Sequence, residues 1–209
     1  MSGIDTREKI LQAADRLFAE VGYDAATTRE IAEISGVNKA LIHYHFKNKE
    51  DLLASILDRY YERLTATLAV SLQGDGSILD RAGRLVDAYM DFLSENRNFA
   101  RTIQREASGG RNVDRIREHM IPIYRMGTEL LHEAYPATLA GDLSAEQLLT
   151  SYYGMIVTYF TYGGVLESLV EKDPYSRGEL EKRKRHIHRM LEIVDEALRK
   201  EGSDSKRGF

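Results

Sequence analysis

Thr27-Thr28-Arg29-Glu30-Ile31-Ala32-Glu33-Ile34-Ser35-Gly36-Val37-Asn38-Lys39-Ala40-Leu41-Ile42-His43-Tyr44-His45-Phe46 is the stretch on which the reading of the whole chain turns. Thr27 stands three residues before Glu30, the spacing at which a hydroxyl and a carboxylate each satisfy a free backbone donor at a helix start. The pattern predicts a short helix over 28–34, a turn at Gly36, and a second short helix over 38–44. A small residue at Ala32 permits close helix approach, Gly36 takes the turn conformation at little steric cost, and Ile42 can pack beneath the second helix. Two short helices about a glycine turn, over roughly 27–46, form a helix-turn-helix, in which the first helix crosses a phosphate backbone and the second enters the major groove.

Charge separates this hairpin from an ordinary helical one. Residues 36–49 carry Lys39, Lys47 and Lys49, two histidines and no acid, while the flanking segments are rich in acid. The net charge of −4 over 209 residues gives no basic signal for the chain as a whole, so any nucleic-acid surface is local.

Working outward, an amphipathic helix over 6–21 buries Ile10, Ala13, Ala14, Leu17 and Phe18 on one face and stops at Gly22. A long helix follows Asn48, its expected cap, with Glu50 and Asp51 at its positive end and Leu52, Leu53, Ile56, Leu57, Tyr60, Leu64 and Leu68 on its apolar stripe. Further helices are expected at 78–94, 97–107, 112–134, 144–170 and 176–200, with Pro122 kinking the 112–134 helix. The fold class is all-α, with about nine helices. An N-terminal three-helix helix-turn-helix domain over 4–53 precedes a larger helical domain over 54–201, and 202–209 reads as a frayed polar tail.

Composition narrows the function. There are no cysteines, hence no disulfide, thiolate metal site or cysteine nucleophile. The amino terminus lacks the pattern of a signal peptide, and a cytoplasmic protein without cofactor is expected. Residues 147–166 are uncharged, but four tyrosines, three threonines and three glycines favour a helix buried among helices over a membrane span. Glu129 and His132, three apart, form the one fragment suggestive of a metal-bundle enzyme. A di-metal site needs a second such pair, which the sequence does not offer, so neither a catalytic nor a metal site is expected. The basic run 182–185 is flanked by Glu179, Glu181 and Glu192 and reads as a solvated helix face.

Residues 7–53 contain, in order, Ile10-Leu11-x-Ala13-Ala14-x-x-Leu17-Phe18, Gly22-Tyr23, Thr27-Thr28-x-x-Ile31-Ala32, Gly36-Val37-x-Lys39 and Tyr44-His45-Phe46-x-Asn48-Lys49-Glu50-x-Leu52. On these residues the segment closely resembles the amino-terminal domain of the TetR family of transcriptional regulators. It covers about a quarter of the chain; the remainder is similar to the family only in being helical and of suitable length. The resemblance implies a homodimer that binds double-stranded operator DNA, usually as a repressor released by a small-molecule effector. By position it implies that Asn38, Lys39, Ala40, Leu41 and His43 face the groove and that Thr28, Tyr44 and Lys49 contact phosphates.

Other readings stand beside these. Thr28 can instead cap its helix, Tyr44 and His45 can pack on the domain, and Leu41, four residues after Val37, can be core. Leu41 and His43 also depart from the small polar residue and tyrosine common in the family, so base preference is not inherited.

In the rear region, where ten of the twelve tyrosines fall after Leu53, Tyr89, Tyr124, Tyr152, Tyr153 and Tyr159 are candidates to line an effector pocket. Arg101, Gln104 and Arg105 are candidates to grip an anionic effector, with ion pairs to Glu106 or Asp91 as the structural alternative. The resemblance further implies a dimer built from the last two long helices, for which 147–166 with Ile187, Met190, Leu191, Val194 and Leu198 look suited.

Overall fold

The computed structural model describes residues 5–109 and 112–205, and within them the chain folds into ten α-helices and one 3-10 turn with no strand. The helices are α1 (Thr6–Val21), α2 (Thr28–Ser35), α3 (Lys39–His45), α4 (Lys49–Ser71), α5 (Ile78–Glu95), α6 (Arg97–Gly109), α7 (Val113–Ala134), α8 (Ala145–Thr161), α9 (Gly163–Val170) and α10 (Arg177–Ser205), with the 3-10 turn at Pro136–Leu139. α10 runs to Ser205, inside the stretch expected as a tail; residues 206–209 lie outside the described residues, as does Gly110 of the Ser108-Gly109-Gly110 break expected between α6 and α7.

Two compact units emerge. The first takes the residues up to Arg63 together with Asn96–His119. Its core is built from Ile10, Ala14 and Phe18 of α1, Ile31 of α2, Ile42 of α3, Phe46, and Leu53, Ile56 and Leu57 of α4, all nearly inaccessible to solvent. This unit reaches past the expected boundary near Leu53 because α4 continues to supply it with aromatic side chains. Tyr60 and Tyr61 pack on Phe99 of α6 with ring centroids 4.8 and 5.2 Å apart, and the Tyr60 hydroxyl donates to buried Asp15 of α1 at 2.6 Å. The first turns of α7 are held in the same unit by Asp58, which accepts from Arg115 at 2.6 Å and pairs with the His119 ring at 2.8 Å.

The second unit takes Leu64–Glu95 and the residues from Met120 on. Here α5 and α10 are laced by two pairs one turn apart, His188 with Asp87 at 2.9 Å and Lys184 with Asp91 at 2.6 Å. Gly83 makes that approach possible, since a Cβ there would lie 3.0 Å from the His188 ring. α7 stays one helix across Pro122.

The single helix expected over 144–170 is instead two, α8 and α9, broken at Tyr162. The cause is tertiary. The Tyr175 hydroxyl donates to the Phe160 carbonyl at 2.8 Å, and it sits where Gly163 has no side chain: a Cβ at that position would be 1.8 Å from it. Tyr159 ties the same corner by donating to the Pro174 carbonyl at 2.6 Å.

Candidate nucleic-acid interface and ligand cavity

The helix-turn-helix forms as the local sequence dictates. Thr27 adopts extended backbone and its hydroxyl accepts from the Glu30 amide at 3.2 Å, while the Glu30 carboxylate accepts from the Thr27 amide at 2.8 Å. The Thr27 hydroxyl also donates to that carboxylate at 2.7 Å, and this bond, with the one from the Thr27 amide, holds the Glu30 carboxyl below its ordinary value. Gly36 ends α2 in the left-handed conformation, φ +67°. Asn38 then caps α3, its side-chain oxygen accepting from the Ala40 amide at 2.9 Å. Thr27, not Thr28, is the cap of α2, which leaves Thr28 half-buried in the first helical position.

α3 divides its side chains sharply. Ile42, together with Phe46 just beyond the helix, anchors it in the core, and the Arg7 guanidinium lies 5.2 Å over the Phe46 ring. Asn38, Lys39, Ala40, Leu41, His43 and Tyr44 are exposed, Tyr44 to 82% and Leu41 to 41%. Leu41 is therefore not core, and Tyr44 does not pack into the domain. Without an acid among residues 36–49, this face presents Lys39, imidazole, phenol and a leucyl methyl surface together.

Lys49 behaves differently from the expectation of a phosphate contact. Its ammonium donates to the carbonyls of Tyr23 at 2.7 Å and Ala26 at 2.8 Å, and it lies 4.3 Å over the Tyr23 ring. It clamps the loop between α1 and α2. Arg105 also serves the framework: it donates to the Phe18 carbonyl at 3.1 Å, at the negative end of α1. Asp91 pairs with Lys184, and Glu106 accepts from Asn112 at 2.5 Å, so the ion pairs considered for Arg101 and Arg105 are not the ones made. Arg101 and Gln104 are exposed on α6.

The second unit contains a cavity of about 180 Å³. Its walls come from the second half of α4, from α5, α7, α8 and α10, and they include Tyr89, Tyr124, Tyr152 and Tyr153 as anticipated. Tyr159 is not in the wall; its hydroxyl is spent on Pro174, and its ring lies 5.4 Å from the Arg183 guanidinium. Burial pushes the Tyr152 hydroxyl up to about 12, and that oxygen is buried without a hydrogen-bond partner.

Several residues considered for a dimer interface are consumed within the unit. Ile187 and Leu198 are buried, and Leu191 and Val194 line the cavity. Apolar side chains left outside include Tyr162, Val165, Leu169 and Val170, which follow the α8–α9 break, and Ile193 on α10.

Among the described residues no group of three potential metal ligands comes together, so Glu129 and His132 gain no further carboxylate or imidazole. No described helix is long and apolar enough to cross a membrane.

A capped helix, a left-handed glycine turn and a short helix with an outward polar and basic face define a helix-turn-helix protein. Residues 10–56 match the model of the bacterial regulatory proteins, tetR family. It is 31% identical over 107 residues, 50% of this chain and 52% of the relative, to the probable HTH-type transcriptional regulator YttP of Bacillus subtilis. To the tetracycline repressor protein class C of Escherichia coli it is 29% identical over 175 residues, 83% of this chain and 71% of the relative. In fold it resembles the transcriptional regulator FadR of Bacillus subtilis, solved in complex with stearoyl-CoA, with a TM-score of 0.71 and 19% identity over 88% of this chain and 96% of that one. The chain spans about half or less of the length of the first curated relatives it matches.

Proposed function

We propose that this protein is a sequence-specific DNA-binding transcriptional regulator, acting as a homodimer and released from its operator when a small molecule occupies the cavity of its second unit. The observation that carries the reading is the outward face of α3, where Lys39, Leu41, His43 and Tyr44 are exposed while Ile42 is buried beneath them. A groove-reading helix needs that separation, because side chains that contact base edges cannot also hold the helix to its own domain.

In this reading Asn38, Lys39, Ala40, Leu41 and His43 face the major groove. Leu41 suits a thymine methyl, and His43 suits a base-edge acceptor or a phosphate. Tyr44 donates to a phosphate, and Thr28, in the first turn of α2, places backbone donors where a phosphate can be met. Two reading heads in a dimer engage half-sites one turn, about 34–36 Å, or a multiple of it apart. The exposed Tyr162, Val165, Leu169 and Ile193 supply apolar surface for dimerisation. Effector control requires that the ligand bind the DNA-free arrangement more tightly, a coupling of typically about 1–3 kcal/mol. Cytoplasmic residence follows from this role, and no catalysis is assigned.

The test is a fluorescence anisotropy titration with the DNA flanking the protein's own gene. Saturable binding that prefers one fragment over scrambled DNA of equal length, and weakens steeply with salt, supports the proposal. Equal, weak binding to every fragment refutes it.

A further inference from the structure

We propose that the cavity of the second unit takes a compact, uncharged, lipophilic molecule of one or two rings bearing a single hydrogen-bonding oxygen, and excludes anionic ligands. This rests on the regulator reading above and gives its effector a chemistry.

Size comes first. A cavity of about 180 Å³ is only somewhat larger than the roughly 150 Å³ apolar cavity that accepts benzene in an engineered protein core. The preformed space therefore suits a bicyclic skeleton or a short alicyclic one, and not a long acyl chain.

Charge comes second. The wall is made of leucine, isoleucine, valine, methionine, alanine, glycine and tyrosine, with Asp195 the one charged group; no lysine, arginine or histidine contributes to it. Two arginines of α5 are committed to the end of α4 and the turn after it. Arg81 donates to the Leu72 carbonyl at 3.1 Å, and Arg84 donates to those of Ser71 and Gln73 at 3.1 and 3.2 Å. Asp195 is itself engaged by the Tyr135 hydroxyl and by Arg199 at 2.8 Å. A carboxylate or phosphate placed inside would lose its hydration, find no cation, and face a carboxylate already in the wall. A neutral skeleton meets only matching surface.

The polar complement comes third. Tyr152 belongs to the wall, and its hydroxyl is buried without a partner. Donors in that state are rarely left unused, and a ligand oxygen that reaches it as the wall adjusts around the occupant would satisfy it. One alcohol, phenol or ketone oxygen fulfils that demand.

Isothermal titration calorimetry of the full chain with 2-naphthol, 2-naphthoate and naphthalene at neutral pH separates the requirements, since the three share one skeleton and differ in charge and oxygen. The expected result is one saturable 2-naphthol site per chain, with 2-naphthoate at least tenfold weaker. Tyr152→Phe should weaken 2-naphthol about fivefold or more and leave naphthalene unchanged, a difference that a general loss of fold would not produce. Ala82→Phe, which fills the cavity, should abolish binding of both while the thermal melt stays cooperative. Equal or tighter binding of 2-naphthoate overturns the assignment, as does failure of every probe to bind. The same samples go into the DNA titration. Naphthol binding without DNA binding refutes the regulator reading and leaves the ligand assignment standing; DNA binding without naphthol binding does the reverse.

Discussion

Replacing Lys49 by methionine distinguishes a framework role from a DNA-contact role at one position. The ammonium makes two close bonds, 2.7 and 2.8 Å, to the carbonyls of Tyr23 and Ala26, and covers the Tyr23 ring at 4.3 Å. A hydrogen bond to a charged group contributes about 1.5–3 kcal/mol, and a cation over an exposed ring about 0.5–1 kcal/mol. Lys49 is only half-buried, and the freed carbonyls lie in a loop where water can replace part of what is lost, so the total should fall near the lower end, about 2 kcal/mol. For a chain of this size that lowers the melting temperature by roughly 4–8 °C. Methionine keeps the apolar stem, so the loss isolates the charge.

DNA binding should weaken equally for all sequences, because the reading head is less well held. Its salt dependence should not change, because no phosphate contact is lost. Thermal melts and anisotropy titrations at four or five salt concentrations provide both quantities. An unchanged melting temperature, together with a slope of log K against log salt reduced by about 0.9 for each contact removed, would refute the clamp and restore Lys49 as a phosphate ligand.

Four further substitutions probe other parts of the chain. Leu41→Ala and His43→Ala should each shift base preference at one operator position by about 1–3 kcal/mol in competition anisotropy, with melting unchanged because both side chains are exposed; a uniform loss across sequences would count against groove contact. Burial raises the Asp15 carboxyl above its ordinary 3.8, against the opposing bonds from Tyr60 and Asn98, so the folded state holds that proton more tightly than the unfolded one. The stability contributed is fully present below 3.8 and is lost as pH rises through the folded-state value. Asp15→Asn should therefore gain on the wild type between acidic and neutral pH in urea melts, and a constant difference across that range would be inconsistent with the raised carboxyl. Gly163→Ala sets a Cβ against the Tyr175 hydroxyl and should cost about 1–3 kcal/mol in thermal or urea unfolding; wild-type stability would mean that the α8–α9 corner does not depend on that close approach.

Local rules made the reading head legible in advance. α1 has the bounds that its apolar spacing and Gly22 imply, and the Thr27–Glu30 box, the Gly36 turn and the Asn48 cap each arise from interactions within a few residues. The break at Tyr162 was passed over although Gly163-Gly164 stands at it, because the hydroxyl that fills the space above Gly163 belongs to a residue twelve positions further on. The carbonyl contacts of Lys49 were not legible for a similar reason: those partners lie 23 to 26 residues back in the chain, and an isolated lysine near α3 looks the same whether it points to a phosphate or a carbonyl. Four of the five candidate tyrosines fall in the cavity wall, since large aromatic residues on inward helix faces are expected there. Arg101, Gln104 and Arg105 do not, because one-helix spacing shows which side chains share a face and not which neighbour that face meets.

The division of labour along α3 also bears on how such a protein can change. Ile42 and Phe46 hold the helix, while Lys39, Leu41, His43 and Tyr44, interleaved with them, stand in solvent. After gene duplication, a copy could exchange its outward residues one at a time and drift toward a new operator without passing through an unstable intermediate. The inward positions would stay fixed throughout, so retargeting would leave its trace as variation at every exposed position of a helix whose buried residues remain the same.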